Sequence, residues 1–411
     1  MPAVCLYFQV HQPYRLRRYS YFDVENATTY FDDTLNRSIM ERVSERCYVP
    51  ANERLLRVLQ ESSGSVRVTF SISGTALEQM RLYAPAALES FRALAATGHV
   101  EFLGETYYHS LASLYDADEF RAQVRSHSDA IEREFGLRPQ TFRNTELIYN
   151  DEIGSIVGDL GFRGILVEGA RDILGWRSPH FAYRVAGATT KLLPRSFKLS
   201  DDIGFRFTHC GEGATDRVTP QRFAASLHEL TGNADFVGLY LDYETFGEHH
   251  IEKTGILDFL ESLPAQVLTH KEWSFITPSD AVRYLHPVSE LSFARTTSWA
   301  DTDRDVSAWC GNKMQQGALT TLYDTKTLYA GRDISTPDMA VARETWRRMQ
   351  TSDHVYYMST KGDGDGVVHR YFSPFESPYD AFVAYMNVVK DINARSREVV
   401  GDRDHRTASN E

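Results

Sequence analysis

Short apolar runs alternate along this chain with longer stretches in which apolar residues recur at helical spacing. Strands are predicted at residues 4–10, 66–73, 100–106, 141–147, 163–168 and 236–243. A helix between the third and fourth strands is predicted from one apolar face, formed by Phe120, Val124, Ile131 and Phe135. This alternation over about 280 residues predicts a parallel sheet with right-handed crossovers, closed or nearly closed into a barrel whose last strand is Phe275-Ile276.

The pattern changes near residue 299. A polar loop with two tryptophans, Trp299 and Trp309, leads into helical patterns at 312–331, 338–352 and 378–395. We therefore predict an α/β catalytic barrel over residues 1–298 and a helical region over residues 299–399 that packs on it. Residues 400–411 are predicted to be a disordered tail.

The strand predicted at residues 236–243 has an unusual end. It is a continuous apolar run, typical of a strand buried on both faces, and it ends in Asp242-Tyr243-Glu244. On a regular strand Asp242 and Glu244 face one side and Tyr243 faces the other. Two adjacent carboxylates repel each other and are costly to desolvate, so a purely structural strand has no reason to place them here. We interpret them as functional.

Polar and ionisable residues also follow the other predicted strands. In a parallel barrel the carboxyl ends of the strands meet at one rim, where the chemistry of such folds is located. The strand ends that supply these groups are His11-Gln12-Pro13, Ser73-Gly74-Thr75, Glu105 to His109, Arg143 to Glu146, and Glu168. Their convergence on one rim predicts a catalytic or binding site.

Two carboxylates on separate strand ends are the equipment of glycoside hydrolysis, with one as nucleophile or base and the other as acid. Glu146 and one acid of the Asp242/Glu244 pair fit this pattern, and spacing alone leaves the choice within the pair open. Arg143 lies on the opposite pleat of a regular strand from Glu146, so contact between them is not assumed.

The remaining candidates each have two interpretations. For the histidines, hydrogen bonding to sugar hydroxyls or carboxylates is favoured over a metal site, because no metal-binding spacing occurs among His11, His109, His249 and His250. Trp299 and Trp309 would either stack on sugar rings or join the barrel to the helical region. Asp202 would either line the cleft or lie in a solvated turn.

Charge and cysteine content restrict the partners and the compartment. A formal net charge of −12 argues against nucleic acid and anionic lipid as partners. The sequence has no signal peptide pattern and no apolar run long enough to span a bilayer, and it has no phosphate-binding loop. Its four cysteines are scattered, which predicts free thiols in a reducing cytoplasm. The oligomeric state is left open.

Four motifs in order resemble those of glycoside hydrolase family 57. They are His11-Gln12-Pro13, Gly98-His-Val-Glu101, Thr145-Glu146 and Asp242-Tyr-Glu-Thr-Phe-Gly247. The stretches 299–312 and 356–360 resemble the α-amylase-type members of that family, so the resemblance covers nearly the whole chain. It implies an incomplete (β/α)7 barrel followed by a helical region.

The resemblance also implies an activity and residue roles. It implies retaining action on α-1,4-glucans such as starch, glycogen and maltooligosaccharides, with no required cofactor or metal, Glu146 as nucleophile and Asp242 as general acid/base. One departure bears on the sugar subsites, because Arg143-Asn144-Thr145 stands where many members carry a tryptophan-led stretch. We predict substrate contacts from His11, Gln12, Glu105, His109, Arg143, Asp202, Glu244, Phe246, His249, Trp299 and Trp309.

Three alternatives remain at this point. The first alternative is a 4-α-glucanotransferase or glucan branching enzyme of the same family. Such an enzyme differs from a hydrolase in how sugar acceptors compete with water. The chain would also fit a catalytically idle glucan-binding relative. A polysaccharide deacetylase shares the barrel and a motif like Thr141-Phe-Arg143, but the Asp-His-His triad of that class is absent from the sequence.

Overall fold

The computed structural model describes residues 1–208, 218–328, 337–361 and 373–408, and these form two compact units. The first unit comprises Met1–Gln12, Arg37–Tyr107 and Arg121–Trp299, and the second comprises Pro13–Asn36, Tyr108–Phe120 and Ala300–Glu411. The predicted boundary after residue 298 lies next to the boundary after Trp299. The sequence prediction places Pro13–Asn36 and Tyr108–Phe120 in the barrel because they precede residue 299. Both segments pack with residues of the second unit and therefore belong to it.

The first unit is built mainly on parallel strands. The strands are β1 Ala3–Val10, β2 Val68–Ile72, β3 Val100–Phe102, β4 Thr141–Arg143, β5 Gly164–Val167, β6 Tyr183–Val185, β7 Lys191–Pro194, β8 Phe236–Asp242, β9 Ser274–Phe275 and β10 Glu290–Leu291. Parallel ladders join β3, β2, β1 and β8 in one sheet and β4, β5 and β7 in another.

Two single parallel bridges join these sheets into a ring. Gly104 pairs with Phe142 between β3 and β4, and Arg195 pairs with Gly238 between β7 and β8. The resulting order, β1-β2-β3-β4-β5-β7-β8 and back to β1, is a barrel of seven parallel strands. The predicted α/β fold, an incomplete (β/α)7 barrel with a helical C-terminal region, is therefore confirmed.

The ring differs from the sequence prediction at two strands. The short strand β7 was not predicted, because Lys191–Pro194 offers only four residues and ends in a proline. The predicted last strand, Phe275-Ile276, is β9 at Ser274–Phe275, and it pairs with Ala3 and Val4 at the start of β1. The barrel is instead closed by β8 against β1 along seven residue pairs, from Ala3↔Phe236 to Gln9↔Asp242.

Alternation along β1 separates the inside of the barrel from the outside. Tyr7 belongs to an interior core cluster with Leu103, Leu166, Leu193 and Tyr240. The next residue, Phe8, lies on the outer face and packs 5.4 Å from Phe70 and 5.0 Å from Tyr243, measured between ring centroids. The side-chain period of two thus places Tyr7 inside the ring and Phe8 outside it.

Helices alternate with the strands in the first unit and form most of the second unit. The α-helices are α1 Asp33–Val43, α2 Val49–Glu61, α3 Gly74–Tyr83, α4 Pro85–Ala96, α5 Ala112–Tyr115, α6 Ala117–Phe135, α7 Asp151–Asp159, α8 Arg171–Leu174, α9 Phe197–Gly204, α10 Pro220–His228, α11 Ile256–Val267, α12 Pro278–Tyr284, α13 Ser307–Cys310, α14 Lys313–Asp324, α15 Pro337–Arg348, α16 Ser352–Tyr356 and α17 Pro378–Ala408. A π-helical turn spans Ser44–Tyr48, and 3₁₀ turns span Tyr21–Asp23, Thr145–Leu147, Tyr243–Thr245, Glu252–Thr254 and Thr325–Leu328.

A buried aspartate on α17 explains why an early segment belongs to the second unit. The Asp391 carboxylate accepts hydrogen bonds from Tyr30 Oη (2.6 Å), Tyr19 Oη (3.0 Å) and Arg395 Nε (3.0 Å). These bonds fix residues of the Pro13–Asn36 segment to α17. Helix α17 continues to Ala408, so residues 400–408, predicted as a disordered tail, are helical. Once a helix is nucleated by packing, each further residue adds a hydrogen bond at little cost.

Candidate active site

Asp242 is the last residue of β8, at the carboxyl rim of the barrel. A 3₁₀ turn, Tyr243–Thr245, follows it directly, so the strand alternation assumed for Asp242 and Glu244 stops at Asp242. Asp242 is half-buried, whereas Glu244 is only 6% exposed. The Tyr243 side chain lies outside the ring, where its hydroxyl donates to Asn52 Oδ1 at 2.6 Å. Of the two acids, Asp242 is the more exposed to solvent.

Glu146 lies beyond strand β4, not on it as predicted. The strand ends at Arg143, and Glu146 occupies a 3₁₀ turn with φ of +55°. Leu147 also has a positive φ, +51°. Left-handed backbone at two successive non-glycine residues is strained, and such strain is found where the surrounding structure holds a functional group in place. The Glu146 side chain is half-buried.

Hydrogen bonds on both sides hold this turn. Asn144 Nδ2 donates to the Ile148 carbonyl at 2.9 Å, and the Thr145 hydroxyl lies 2.8 Å from the Thr106 hydroxyl. The Trp299 indole Nε1 donates to Glu146 Oε2 at 2.7 Å. The carboxylate therefore has a defined orientation, set by a residue that is distant in sequence.

Several charged groups act on the barrel interior below the rim. Tyr7 donates or accepts a 2.7 Å hydrogen bond with Ser71 there. Burial raises the pKa of Tyr7, and among the charges Arg143 lowers this pKa while Glu105 and Asp242 raise it. Arg143, Glu105 and Asp242 are therefore within electrostatic reach of one buried hydroxyl, although they lie at the ends of three different strands.

Arg195, which follows β7, is the centre of a buried ion network. Its Nη2 donates to Asp201 at 2.6 Å, its Nη1 donates to Glu168 at 3.3 Å, and its Nε donates to the Tyr240 carbonyl at 3.0 Å. Burial lowers the pKa of Arg195, but Glu168 and Asp201 more than offset this and raise it. One cation between two carboxylates is stable in the interior only because every partner is present.

Glu244 is a buried acid whose neighbours change its protonation. Its Oε1 accepts a hydrogen bond from the Tyr48 hydroxyl, and Gln12 also hydrogen-bonds to it. Burial and the nearby charge of Asp242 raise the pKa of Glu244 to about 8, against the opposing effect of these hydrogen bonds. Glu244 is therefore mostly neutral at pH 7 and adds little negative charge beside Asp242.

The raised pKa of Glu244 predicts a pH-dependent stability. An acid whose folded-state pKa exceeds its unfolded value contributes stability that is complete below the unfolded pKa and is lost as pH rises through the folded pKa, here about 8. We expect the free energy of unfolding of Glu244→Gln, relative to the unsubstituted protein, to rise by a few kcal/mol between about pH 5 and pH 9. Urea unfolding at several pH values measures this. The exposed Glu290→Gln is the control, and an equal change in both variants would contradict the assignment.

The other predicted site residues of the first unit divide into accessible and buried groups. His11 is half-buried, with Nδ1 2.7 Å from the Ser73 hydroxyl, and His249 is exposed. Glu105 and Phe246 are buried, and Phe246 packs edge-on against Phe8. The surroundings of Glu105 and Phe246 indicate that these two residues support the rim. Direct contact of a sugar with any of the four residues remains a prediction.

Three further predicted contacts remain, two in the second unit and one on a helix of the first. His109 and Trp309 belong to the second unit and are buried there, with the Trp309 ring 5.9 Å from that of Tyr356. Asp202 lies on α9 and accepts a hydrogen bond from Arg206 Nε at 2.6 Å, so it lies in a helix and not in the solvated turn considered above.

Sequence reasoning did not identify Tyr48 or Arg195 as site residues and did not predict the contact between Trp299 and Glu146. Arg195 would have been found had Lys191–Pro194 been recognised as a strand, because every other barrel strand ends in polar groups. Tyr48 carries no such signal. In the part of the chain that the structure describes, no cluster of three or more His, Cys, Asp or Glu could hold a metal ion, and no helix is long and apolar enough to cross a membrane.

Comparison with known proteins shows which family the chain belongs to. The model of the family "Glycosyl hydrolase family 57" matches residues 5–294, which include both carboxylates. The chain belongs to glycosyl hydrolase family 57. It is a glycosidase of this family, as the resemblance of the four motifs implied.

The relatives found extend over nearly the whole chain. A protein of Methanocaldococcus jannaschii named "Putative alpha-amylase" is 39% identical over 404 residues, 96% of this chain and 84% of that protein. The branching enzyme of family 57 from Pyrococcus horikoshii superposes with a TM-score of 0.66 at 14% identity, covering 96% of this chain and 94% of that one. The α-amylase AmyC from Thermotoga maritima gives a TM-score of 0.63 at 14% identity, covering 98% and 94%.

Proposed function

We propose that this protein is a retaining glycosidase that acts on α-1,4-glucans, with Glu146 as nucleophile and Asp242 as general acid/base. The main support is the placement of two half-buried carboxylates at the carboxyl rim of one barrel, one oriented by Trp299 and the other at the end of β8. The substrate class is supported by the 39% identical relative, which is named "Putative alpha-amylase".

The environments of the acids suit different roles in a double displacement. Glu146 attacks the anomeric carbon while Asp242 donates its proton to the leaving glycosidic oxygen, which breaks the glycosidic bond and forms a glycosyl-enzyme. Asp242, now a carboxylate, then removes a proton from water as the water attacks the same carbon and releases Glu146. When Asp242 is ionised, as in the second step, Glu244 stays mostly neutral at pH 7 and does not add a second full charge beside it.

Hydrolysis and sugar transfer share these steps up to the glycosyl-enzyme. The acceptor decides the outcome, since a glucan hydroxyl in place of water gives disproportionation or branching. We favour hydrolysis because of the α-amylase name of the more similar relative. A cytoplasmic location is proposed with it, supported by Cys5, Cys47 and Cys310, which are free thiols.

Product analysis tests the proposal. We expect maltoheptaose and amylose to be converted to shorter maltooligosaccharides with a matching rise in reducing ends, and a chelator to have no effect. Products longer than maltoheptaose without new reducing ends would indicate a transferase, and new branch points sensitive to a debranching enzyme would indicate a branching enzyme. Unchanged glucans together with chelator-sensitive release of acetate from an acetylated polysaccharide would contradict the proposal, and unchanged glucans with binding alone would indicate an idle relative.

A further inference from the structure

Residues 297–299 are bound along the turn that contains Glu146. Thr297 N–H donates to the Tyr149 carbonyl at 2.9 Å, and Tyr149 N–H donates to the Thr297 carbonyl at 3.0 Å. Trp299 N–H donates to the Glu146 carbonyl at 3.1 Å, and the Trp299 indole donates to the Glu146 carboxylate at 2.7 Å. One short segment therefore fixes both the main chain and the carboxylate of Glu146.

Two cations lie close to the indole ring of Trp299. The guanidinium carbon of Arg143 is 4.8 Å from the ring centroid, and that of Arg195 is 5.6 Å from it. Both distances are within the range of cation–π attraction. A cation near the ring withdraws electron density from the indole, so the indole N–H becomes a stronger donor to a carboxylate.

Arg143 is placed at a cost to the fold. It is 0% exposed, and its Nε, Nη1 and Nη2 have no hydrogen-bond partner among the residues that the structure describes. A buried charge without hydrogen bonds is unfavourable, and sites of function are where such costs are retained. Arg195, by contrast, has hydrogen bonds to Glu168 and Asp201 that account for its burial.

We propose that Trp299 is a positioning residue for Glu146, and that Arg143 acts through the indole ring to strengthen the hydrogen bond to the carboxylate. The inference rests on the proposed role of Glu146 as nucleophile. It replaces the expectation that Trp299 stacks on a sugar ring, because the indole edge is bound to Glu146 and the ring lies against two guanidinium groups.

The first test is Trp299→Phe, which keeps an aromatic ring and the main-chain bond but removes the indole N–H. We expect kcat on maltoheptaose to fall about 10- to 100-fold, the usual cost of losing a hydrogen bond to a charged group, while KM changes less than about threefold. A sugar platform would give the reverse, a raised KM with kcat nearly unchanged, and that result would overturn the inference.

A double-mutant cycle further distinguishes a positioning role of Trp299 from a role as a sugar platform. Turnover of an activated aryl α-maltoside by Glu146→Ala is restored with azide, and Trp299→Phe is then added. If Trp299 acts through the carboxylate, the second change costs less than about twofold in this background, far below its cost in the unsubstituted protein. Equal costs in both backgrounds would overturn the inference. Undiminished glucan turnover by Glu146→Ala alone would instead overturn the proposed function.

Arg143→Met and Arg195→Met form a matched pair for the second part of the inference. Arg143→Met should lower kcat about threefold to tenfold, the scale of a buried cation–π contact, with an unchanged or higher melting temperature because a buried charge without hydrogen bonds is removed. Arg195→Met leaves Glu168 and Asp201 buried without their cation, so it should lower the melting temperature strongly. An unchanged kcat for Arg143→Met, or a melting temperature as low as that of Arg195→Met, would overturn the role of Arg143.

Discussion

Glu146→Ala is expected to lower the turnover of α-1,4-glucans by a factor on the order of 10⁴–10⁶, the scale of losing a catalytic nucleophile. Without the carboxylate no glycosyl-enzyme forms, although Asp242 can still donate its proton. The fold should be retained, because Glu146 is half-buried and its turn is also held by bonds from Asn144 and Thr145 and by main-chain bonds to residues 297–299, none of which uses the Glu146 carboxylate. Steady-state rates with maltoheptaose measure the effect.

Added azide should restore turnover of Glu146→Ala on an activated α-glycoside. The anion occupies the space of the missing carboxylate and attacks the anomeric carbon from the same face. Only one displacement then occurs, so the product is the β-glycosyl azide. The unsubstituted enzyme performs two displacements, so its first product keeps the α configuration. Proton NMR of the early products distinguishes the two anomers.

Stereochemistry also tests the distance between the acids. A nucleophile and an acid of a retaining enzyme lie only about 5–5.5 Å apart, too close to admit the attacking water of an inverting enzyme. A β-anomer released first by the unsubstituted enzyme would therefore contradict the role of Glu146. Glu146→Gln is the matched control, because it keeps an acceptor for the Trp299 indole but is no nucleophile, and it should be as inactive as Glu146→Ala without azide.

Asp242→Asn should lower kcat/KM for natural glucans about 10²- to 10⁴-fold, since the leaving oxygen would depart without a proton. For an aryl glycoside whose leaving group needs no proton, kcat/KM should fall far less. Deglycosylation still lacks its base, so azide should accelerate this variant too. Because the azide attacks the glycosyl-enzyme from the opposite face, the product should be the α-glycosyl azide, the reverse of the Glu146→Ala result.

Glu244→Gln is the matched control for the neighbouring acid. With its pKa raised to about 8, Glu244 is close to an amide in charge at pH 7, so Glu244→Gln should affect both substrates alike and modestly. The difference from the unsubstituted enzyme should grow above about pH 8, where Glu244 ionises. If Glu244→Gln spared only the aryl glycoside while Asp242→Asn weakened both substrates alike, the proton donor would be Glu244.

The sequence by itself determined the class of fold and the chemistry of the rim. Apolar runs such as Phe236–Asp242 predict strands from local pattern alone, since burial on both faces requires a continuous run. The acids and amides that follow those runs indicated the site, because parallel strands bring their carboxyl ends to one rim. The order of four short motifs then indicated the family. All of these signals lie within windows of a few residues.

Only the tertiary structure decided how the site is held. Trp299 and Glu146 are 153 residues apart, and Tyr48 and Glu244 are 196 apart, so no local pattern predicts that they hydrogen-bond. The left-handed turn at Glu146 is equally invisible in sequence, because no glycine marks it. These contacts form only when the barrel closes. The closed barrel also buries Glu244 while it leaves Asp242 half-buried. Which residues a strand end meets depends on the whole ring of strands, whereas the strand itself depends on its own residues.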